Sequence, residues 1–183
     1  MENLSEQEII KKVRAGQTEL FGQLVQKYQN KIFGYIYKIV GHKEEAEDIV
    51  QETFIKVYKN LNSFDADRKF SSWLYRISHN EAINYIKKNK RNAELYFEDN
   101  DYLFNQLKYE KDLLRELTVK EDFNNLKKAL AKLPLKYREV IVLKYLEEKS
   151  YEEIAKILKQ PINTIGTRLR RAKKNLQELI SQN

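Results

Sequence analysis

A cluster of cations near the C-terminus has the composition of a polyanion-binding segment. The stretch QPINTIGTRLRRAKKNL (160–176) contains no acidic residue, and its five basic residues are Arg168, Arg170, Arg171, Lys173 and Lys174. Apolar residues in this stretch recur at steps of three and four, which places them on one face of a helix. The cations occupy the other faces. The pattern therefore predicts either a solvated basic helix or a helix that lies against a polyanion.

The segment before this helix favours the second interpretation. Ser150 and Glu153 have the spacing of a capping box and predict a helix through SYEEIAKIL, followed by the short turn KQP. Two short helices joined by such a turn are typical of a helix-turn-helix, whose second helix enters the major groove of DNA. Arginine suits base edges and phosphates, because its guanidinium is always charged and donates paired hydrogen bonds. The residues predicted to face DNA are Asn163, Thr164, Thr167, Arg168, Arg170, Arg171 and Lys174.

A second stretch, RKFSSWLYRISHNEAINYIKKNKR (68–91), combines aromatic residues with cations. This combination is compatible with binding a single nucleic-acid strand, in which cations follow the backbone and aromatic rings hold unstacked bases. Periodicity alone favours a simpler interpretation, in which Trp73 and Ile77 belong to a core and the lysines form a solvated helix end. His79 is expected to be an ordinary helix residue, because no set of Cys, His or carboxylate ligands surrounds it in the sequence.

The stretch EEAEDIVQE places Glu45, Asp48 and Glu52 on one face of a predicted helix. Such a face is either solvated or docked on a basic protein surface. The sequence contains no P-loop, dinucleotide fingerprint, nucleophile elbow or zinc-ligand spacing. We therefore expect no catalytic residue, no metal site, no cofactor and no enzymatic activity.

The composition predicts the elements that position these stretches. Five glycines and two prolines among 183 residues, with 33% charged residues, favour helices joined by short turns. The absence of cysteine excludes disulfides and thiolate metal sites. The N-terminal stretch lacks the pattern of a signal peptide, and no apolar run is long enough to span a membrane. The expectation is an all-α cytoplasmic protein without direct membrane insertion.

Charge divides the chain into parts. The net charge of +7 is made up of 0 in residues 1–60, +4 in 61–92, −5 in 93–125 and +8 in 126–183. Amphipathic helices are predicted up to a break at Gly41, through 44–61, and from about Ser71 onward. The predicted organisation is an N-terminal helical bundle (1–92), an acidic connector (93–121) and a C-terminal helix-turn-helix domain (122–183).

Three stretches in this order resemble an extracytoplasmic-function sigma factor of bacterial RNA polymerase. They are AEDIVQETFIKVYKNLNSFD, RKFSSWLYRISHNEAINYIKK and LPLKYREVIVLKYLEEKSYEEIAKILKQPINTIGTRLRRAKKNL. The resemblance covers nearly the whole chain apart from 93–121. It implies a protein that binds core polymerase and directs promoter-specific initiation, at stress or envelope-response genes, under the control of an anti-sigma factor anchored in the membrane.

The resemblance also implies roles for particular residues. Asp48, Gln51 and Glu52 would dock on the clamp helices of the largest polymerase subunit, and the C-terminal domain would meet the flap of the second-largest subunit and read the −35 element. Recognition of the −10 element reverses the simpler interpretation of the second stretch. There a base pocket is expected in the loop, at Phe64, Asp65, Arg68 and Lys69, and further contacts on the following helix, at Trp73, Arg76, Asn80 and Asn84.

The promoter sets a distance that the connector must span. In such promoters the two elements lie about 16–18 base pairs apart, or about 55–60 Å at roughly 3.4 Å per step. A relaxed coil of 29 residues averages about 30 Å, whereas an extended one reaches about 95 Å. The connector is therefore expected to follow an extended path through the polymerase. We expect its acidic side chains to imitate an RNA backbone in that channel.

Gly166 departs from the family pattern, because many members carry Lys or Arg at this position. A glycine within a helix costs about 1 kcal/mol relative to alanine and removes a candidate DNA contact. Either the −35 preference is shifted, or Arg168, Arg170 and Arg171 supply the contact.

Two other classes of protein share some of these features. One is a dimeric, ligand-sensing helix-turn-helix regulator, in which Asp48→Lys would scarcely matter. The other is an adaptor without DNA contact, in which a triple substitution of Arg168, Arg170 and Arg171 would leave function intact.

Overall fold

The computed structural model describes residues 4–89 and 123–181, and helices are the regular elements of both ranges. The connector predicted at 93–121 lies outside the described residues. The first range contains a 3₁₀ turn at Thr18–Leu20, another at Leu61–Ser63, and four α-helices: α1 (Glu6–Arg14), α2 (Phe21–Val40), α3 (Lys43–Lys59) and α4 (Phe70–Lys88). The all-α prediction is confirmed for the part of the chain that is described.

Local sequence explains where the N-terminal helices begin and end. Ser5 caps α1 in a capping box, since its Oγ accepts from the Glu8 backbone N–H while the Glu8 carboxylate accepts from the Ser5 N–H. Helix α2 ends where predicted, at Gly41, which adopts φ +84 and donates its N–H to the carbonyl of Tyr37 at 2.7 Å. A left-handed residue at this position is the common way to close a helix, and glycine adopts it without strain.

The core of the N-terminal range lies between α2, α3 and α4. Helix α3 packs against both of the other helices, and α1 covers one end of α2. The fully buried side chains lie on the apolar faces of these helices. Among them are Leu24, Ile32, Ile36, Ala46, Val57, Leu74 and Ala82.

The second range contains four further α-helices, and their buried residues are continuous with the core of the first range. They are α5 (Phe123–Lys132), α6 (Leu135–Ile141), α7 (Tyr151–Leu158) and α8 (Ile162–Ser181), and a π-helical turn at Val142–Leu146 continues α6. Pro134 stands directly before α6, where its lack of an N–H costs nothing. The long helix α8 packs against α5, α6 and α7, and it buries Ile165, Leu169, Ala172, Leu176 and Ile180.

The two helical units pack directly against each other. Helix α4 lies along α7, and α2 contacts α6 and the π-helical turn. This contact explains why all seven residues of α2 from 34 to 40 are buried, although an amphipathic helix would expose some of them. Helical periodicity predicted two units joined by a connector and gave no indication of this interface.

Candidate nucleic-acid interface

Helices α7 and α8 form the predicted helix-turn-helix. Ser150 caps α7 through the expected capping box with Glu153. The helix ends at Lys159 in the left-handed conformation (φ 51), so that the chain reverses within three residues and α8 begins at Ile162. Ile162 belongs to the predicted apolar face, but the side chain is 42% exposed at the helix start. The buried face of α8 fixes the orientation of its polar face.

Most of the predicted duplex-reading residues lie on the exposed part of α8. Asn163, Thr167, Arg170, Arg171 and Lys174 are exposed, and Thr164 is half-buried. Helix α8 therefore presents cations and small polar groups to solvent along its N-terminal half, which is the half that enters a major groove in this motif.

Arg168 has a different environment from the other cations of α8. Its Nη1 donates to Glu139 Oε1 at 2.6 Å, and both side chains are largely buried. In this conformation the guanidinium is held by a carboxylate of α6, so it stabilises the packing of α8 on α6. Its predicted contact with DNA stays a prediction.

A cleft of about 450 Å³ lies beside the N-terminal half of α8. Lys136 and Tyr137, at the start of α6, form its second wall, and the ammonium of Lys136 lies 5.0 Å from the centroid of the Tyr137 ring. Neither residue was expected to contribute, because periodicity shows a helix start after Pro134 but not which residues it faces. The remaining lining residues are Asn163, Thr164, Thr167, Arg168 and Arg171.

Gly166 is not required by the backbone or by space. Its φ is not positive, and a Cβ at this position would meet Cε2 of Tyr151 at 3.8 Å, an ordinary van der Waals contact. A longer side chain can therefore start from this position without displacing α7. Compared with a longer side chain, Gly166 changes which groups α8 presents to solvent but does not change the packing of α8 on α7.

The predicted single-strand surface has the opposite character, since its aromatic groups are buried. Phe64 is only 4% exposed, and its ring lies 4.9 Å from the ring of Trp73 and 5.6 Å from that of Phe70. In this conformation Phe64 is a core residue, so its predicted contact with a flipped base requires the loop to move. Trp73 is half-buried in the same aromatic cluster.

The polar members of this surface are accessible. Asp65, Arg68 and Lys69 are exposed, and Arg68 Nε donates to Asp65 Oδ2 at 3.0 Å. The backbone N–H of Asp67 donates to the other Asp65 oxygen, which shapes the turn. On α4, Asn80 and Asn84 are exposed one turn apart, and Arg76, one turn before them, is half-buried. Arg76, Asn80 and Asn84 thus follow one another at steps of four along α4, which begins directly after the loop.

Helix α3 presents a separate exposed face. Asp48, Gln51 and Glu52 are all exposed. Ile55 and Tyr58, which were not predicted as part of this face, continue it and are 46% and 41% exposed. Their spacing from Gln51 could have indicated this, since steps of three and four place residues on one side of a helix. A face with carboxylates at one end and large apolar side chains at the other is typical of a protein-binding surface.

His79 is buried between the two helical units. Its Nδ1 lies 2.9 Å from the Tyr35 hydroxyl, and its Nε2 lies 3.7 Å from Glu139 Oε2. Burial and, to a smaller extent, the charge of the nearby Arg168 together lower the pKa of His79 to about 4. Burial also raises the pKa of Glu139 to about 7, against the opposing effect of Arg168 and Arg138.

Residues 4–89 and 123–181 contain no group of three or more His, Asp or Glu side chains that could hold a metal ion. Within the same residues, every helix is too short or too polar to cross a bilayer.

Each of the two helical units matches a family model. Residues 24–92 match the family model of sigma-70 region 2, and residues 123–176 match that of sigma-70 region 4. Together these matches cover more than half of the chain and define a transcription initiation factor of the sigma-70 class. A curated relative, the ECF RNA polymerase sigma factor SigW of Bacillus subtilis, is 40% identical over 174 residues, which is 92% of this chain and 93% of the relative. The chain belongs to the extracytoplasmic-function sigma factors.

Two solved structures show the same fold. CnrH in complex with the cytosolic domain of CnrY superposes with a TM-score of 0.72 at 23% identity, covering 97% of this chain and 98% of that one. The sigma factor RpoE of Bartonella quintana, in complex with the anti-sigma factor NepR, superposes with a TM-score of 0.66 at 26% identity. That match covers 88% of this chain and 96% of RpoE.

Proposed function

We propose that this chain directs core RNA polymerase to promoters by contacting two DNA elements and the polymerase with three separate surfaces. The observation that carries the proposal is the exposed cationic half of α8, within a region-4 match that follows a region-2 match in the same chain. The proposed role is binding and positioning, with no catalytic residue, metal or cofactor of its own.

The cleft between α6 and α8 supports duplex reading of the −35 element. Arg170 and Arg171 are exposed on the recognition helix and can donate to base edges or phosphates. We assign Lys136 to a backbone phosphate, because it lines the same cleft as Arg171 from the opposite wall. Gly166 offers no side-chain contact, so the neighbouring arginines define the preference of this helix.

The edge formed by the loop after α3 and by α4 supports reading of the −10 element as a single strand. Asp65, Arg68 and Lys69 supply polar contacts, and the aromatic cluster of Phe64 and Trp73 lies directly below them. A base that leaves the duplex needs a stacking surface, and this cluster provides one when the loop moves.

The exposed face of α3 supports docking on the polymerase. Asp48 and Glu52 suit the basic clamp helices of the largest subunit, and Ile55 and Tyr58 add apolar area to the contact. The C-terminal unit would in addition meet the flap of the second-largest subunit.

Control by an anti-sigma factor completes the proposal. RpoE of Bartonella quintana is described in complex with the anti-sigma factor NepR, and its match to this chain is 26% identical. We place the present chain in the cytoplasm, under an anti-sigma factor anchored in the membrane, acting at stress or envelope-response genes.

A run-off transcription assay with added core enzyme on a genomic promoter library tests the proposal. We expect specific transcripts that are absent without the protein. Asp48→Lys should abolish both these transcripts and co-purification with core polymerase, because it places a cation against a basic surface. Glu19→Lys is the matched control, since it makes the same charge change at another exposed position of the same unit. Equal initiation by core polymerase with and without the protein would refute the proposal.

A further inference from the structure

The last residue of α1 holds the backbone of the loop between α3 and α4. We call residues 64–69 the −10 loop, which follows the 3₁₀ turn at Leu61–Ser63. Arg14 Nη2 donates to the carbonyls of Leu61, at 2.7 Å, and of Phe64, and Arg14 Nε donates to the Leu61 carbonyl at 3.1 Å. A guanidinium suits this position, because its planar N–H groups can donate to two carbonyls at once. Arg14 therefore fixes both the turn and the first residue of the −10 loop.

A second side chain of α1 contacts the same loop farther along the chain. Gln7 Nε2 donates to the carbonyl of Ala66 at 3.3 Å. Gln7 lies seven residues before Arg14, and residues at this spacing lie on the same side of a helix. One side of α1 therefore runs along the −10 loop and binds its backbone at two points.

Helix α1 is itself fixed to α2, so it does not move freely with the loop. Its apolar residues are buried, and the hydroxyl of Tyr28 on α2 donates to Glu6 Oε1 at 2.5 Å. The Tyr28 ring lies 5.7 Å from the ring of Phe70, which packs against the ring of Phe64. The same two helices therefore hold the backbone of the −10 loop and support the aromatic cluster beneath it.

The contacts of Arg14 act on the residue that has to move when a base is bound. Phe64 is 4% exposed, and Arg14 holds its carbonyl while its ring lies against Trp73. Moving Phe64 out of the aromatic cluster breaks hydrogen bonds from a charged donor, which contribute more than bonds between neutral groups. Opening of the −10 loop is therefore opposed by the burial of the ring and by the contacts of the carbonyl.

We propose that Arg14 is a positioning residue for the −10 loop, which holds Phe64 in the core and so determines how many chains have a loop that can accept a flipped base. The inference rests on the proposed function, since it takes this loop as the site that binds the −10 strand. The apparent affinity for a ligand is reduced by the fraction of protein in the binding-competent state. Arg14 therefore lowers the affinity for the strand, and the strand has to supply the free energy of opening.

Hydrogen exchange in the full-length chain measures opening of the loop without DNA or polymerase. The backbone N–H of Phe64 donates at 3.1 Å to the Leu61 carbonyl, which Arg14 also holds. Arg14→Met removes the donors and should speed exchange of the Phe64 amide by about tenfold. Lys11→Met removes an exposed cation of the same helix, so it is the matched control and should leave this exchange unchanged. Arg14→Lys keeps the charge without the planar fork and should give an intermediate rate.

The single tryptophan of the chain gives an independent spectroscopic signal. The ring of Trp73 lies 4.9 Å from that of Phe64, so departure of Phe64 exposes it to a soluble quencher such as acrylamide. Quenching without denaturant should increase in Arg14→Met and stay at the wild-type level in Lys11→Met. A variant that had only lost stability would still be folded under these conditions and would be quenched like wild type. Unchanged exchange and unchanged quenching in Arg14→Met would overturn the proposed role of Arg14.

Binding of a forked promoter by assembled holoenzyme tests the consequence for DNA. The probe has a single-stranded non-template −10 element, either intact or with an abasic site at each position in turn. Arg14→Met should bind the intact probe about tenfold more tightly than wild type, and this gain should disappear when the abasic site replaces the flipped base, because Phe64 then need not move.

Two results of this binding experiment would overturn the proposal. Unchanged binding of the intact probe would show that opening of the loop does not limit binding. Weaker binding of every probe by Arg14→Met, but not by Lys11→Met, would show that Arg14 contacts the DNA itself. Failure of the proposed function would instead appear as no binding of any probe by wild-type holoenzyme, with the exchange and quenching results unaffected.

Discussion

The two proposed DNA surfaces differ in the exposure of the side chains that would bind DNA. On α8 most of the groups that would read a duplex are exposed, although Arg168 is held by Glu139, and the apolar face beneath them anchors the helix. On the loop before α4 the polar groups are exposed, but the aromatic ring of Phe64 is buried against Trp73. The surface on α8 can meet DNA in the conformation described. The surface on the loop before α4 can do so only after the loop moves.

This difference follows from the form of DNA that each surface would meet. A major groove already displays its base edges, so a rigid helix can read it without rearrangement. A base in a duplex is stacked and paired, so it must first leave the helix, and its binding pocket is needed only at that moment. The cluster of Phe64 and Trp73 can be part of the core until the loop moves, and it can hold the base once the loop has moved.

The largest expected effect tests the burial of the Phe64 ring. Phe64→Ala removes a ring that packs against two others and should destabilise the N-terminal unit by about 3–5 kcal/mol in urea unfolding. Asp65→Ala, at the adjacent exposed position, should change stability by no more than about 0.5 kcal/mol. Equal stability of the two variants would show that the ring is not a core residue.

Because the cations of α8 are exposed, removing one of them should weaken DNA binding without lowering stability. Arg171→Ala should weaken binding of a promoter with a −35 element by assembled holoenzyme by about 1–3 kcal/mol, or roughly fivefold to 150-fold. Lys128→Ala, which removes an exposed cation from α5, is the control and should have little effect. If both variants bind equally well, the cleft beside α8 is not the DNA surface.

Glu139 and His79, at the interface between the units, give the folding stability opposing pH dependences that offset each other in the wild-type protein. The groups that face Glu139 are Arg138, Arg168 and His79, and Tyr35 also faces His79. With its pKa raised from 4.5 to about 7, Glu139 binds more protons in the folded chain, so its contribution to stability falls as pH rises through that window. With its pKa lowered from 6.5 to about 4, His79 binds fewer, so its contribution rises with pH.

The two contributions oppose each other between about pH 4.5 and 6.5. His79→Gln should therefore expose a fall in unfolding free energy with rising pH, of at most about 1.4 kcal/mol per pH unit. Glu139→Gln should expose a rise of similar size. Urea unfolding across this range measures both slopes, and parallel slopes in the two variants would contradict the burial of these groups at the interface.

The smallest effect concerns Gly166. Because a Cβ fits there at ordinary distance from Tyr151, Gly166→Ala should stabilise the C-terminal unit by up to about 1 kcal/mol in thermal unfolding. Gly22→Ala, in the first turn of α2, places a Cβ where nothing lies within 4 Å and serves as a control with a smaller expected gain. A destabilised Gly166→Ala would mean that the glycine is needed for packing, and not only for what the helix presents to DNA.

Periodicity and capping were sufficient to predict most of the fold. The capping box at Ser150, the break at Gly41 and the start of α4 were all placed within a residue or so. These features depend on neighbours along the chain, which a sequence displays directly. Three other features depend on residues that are distant in sequence. They are the cleft wall formed by Lys136 and Tyr137, the burial of Phe64, and the contact of Lys38 with Glu147. Helical patterning carries no information about which units face each other.

The exposed face of α3 has a consequence for the order of assembly. The face that carries Asp48, Ile55 and Tyr58 lies apart from α4 and α7 and is exposed while the two units are closed. A partner can therefore reach this face while the two units are packed against each other. Docking of a polymerase on this face would therefore leave the packing of α4 on α7 undisturbed.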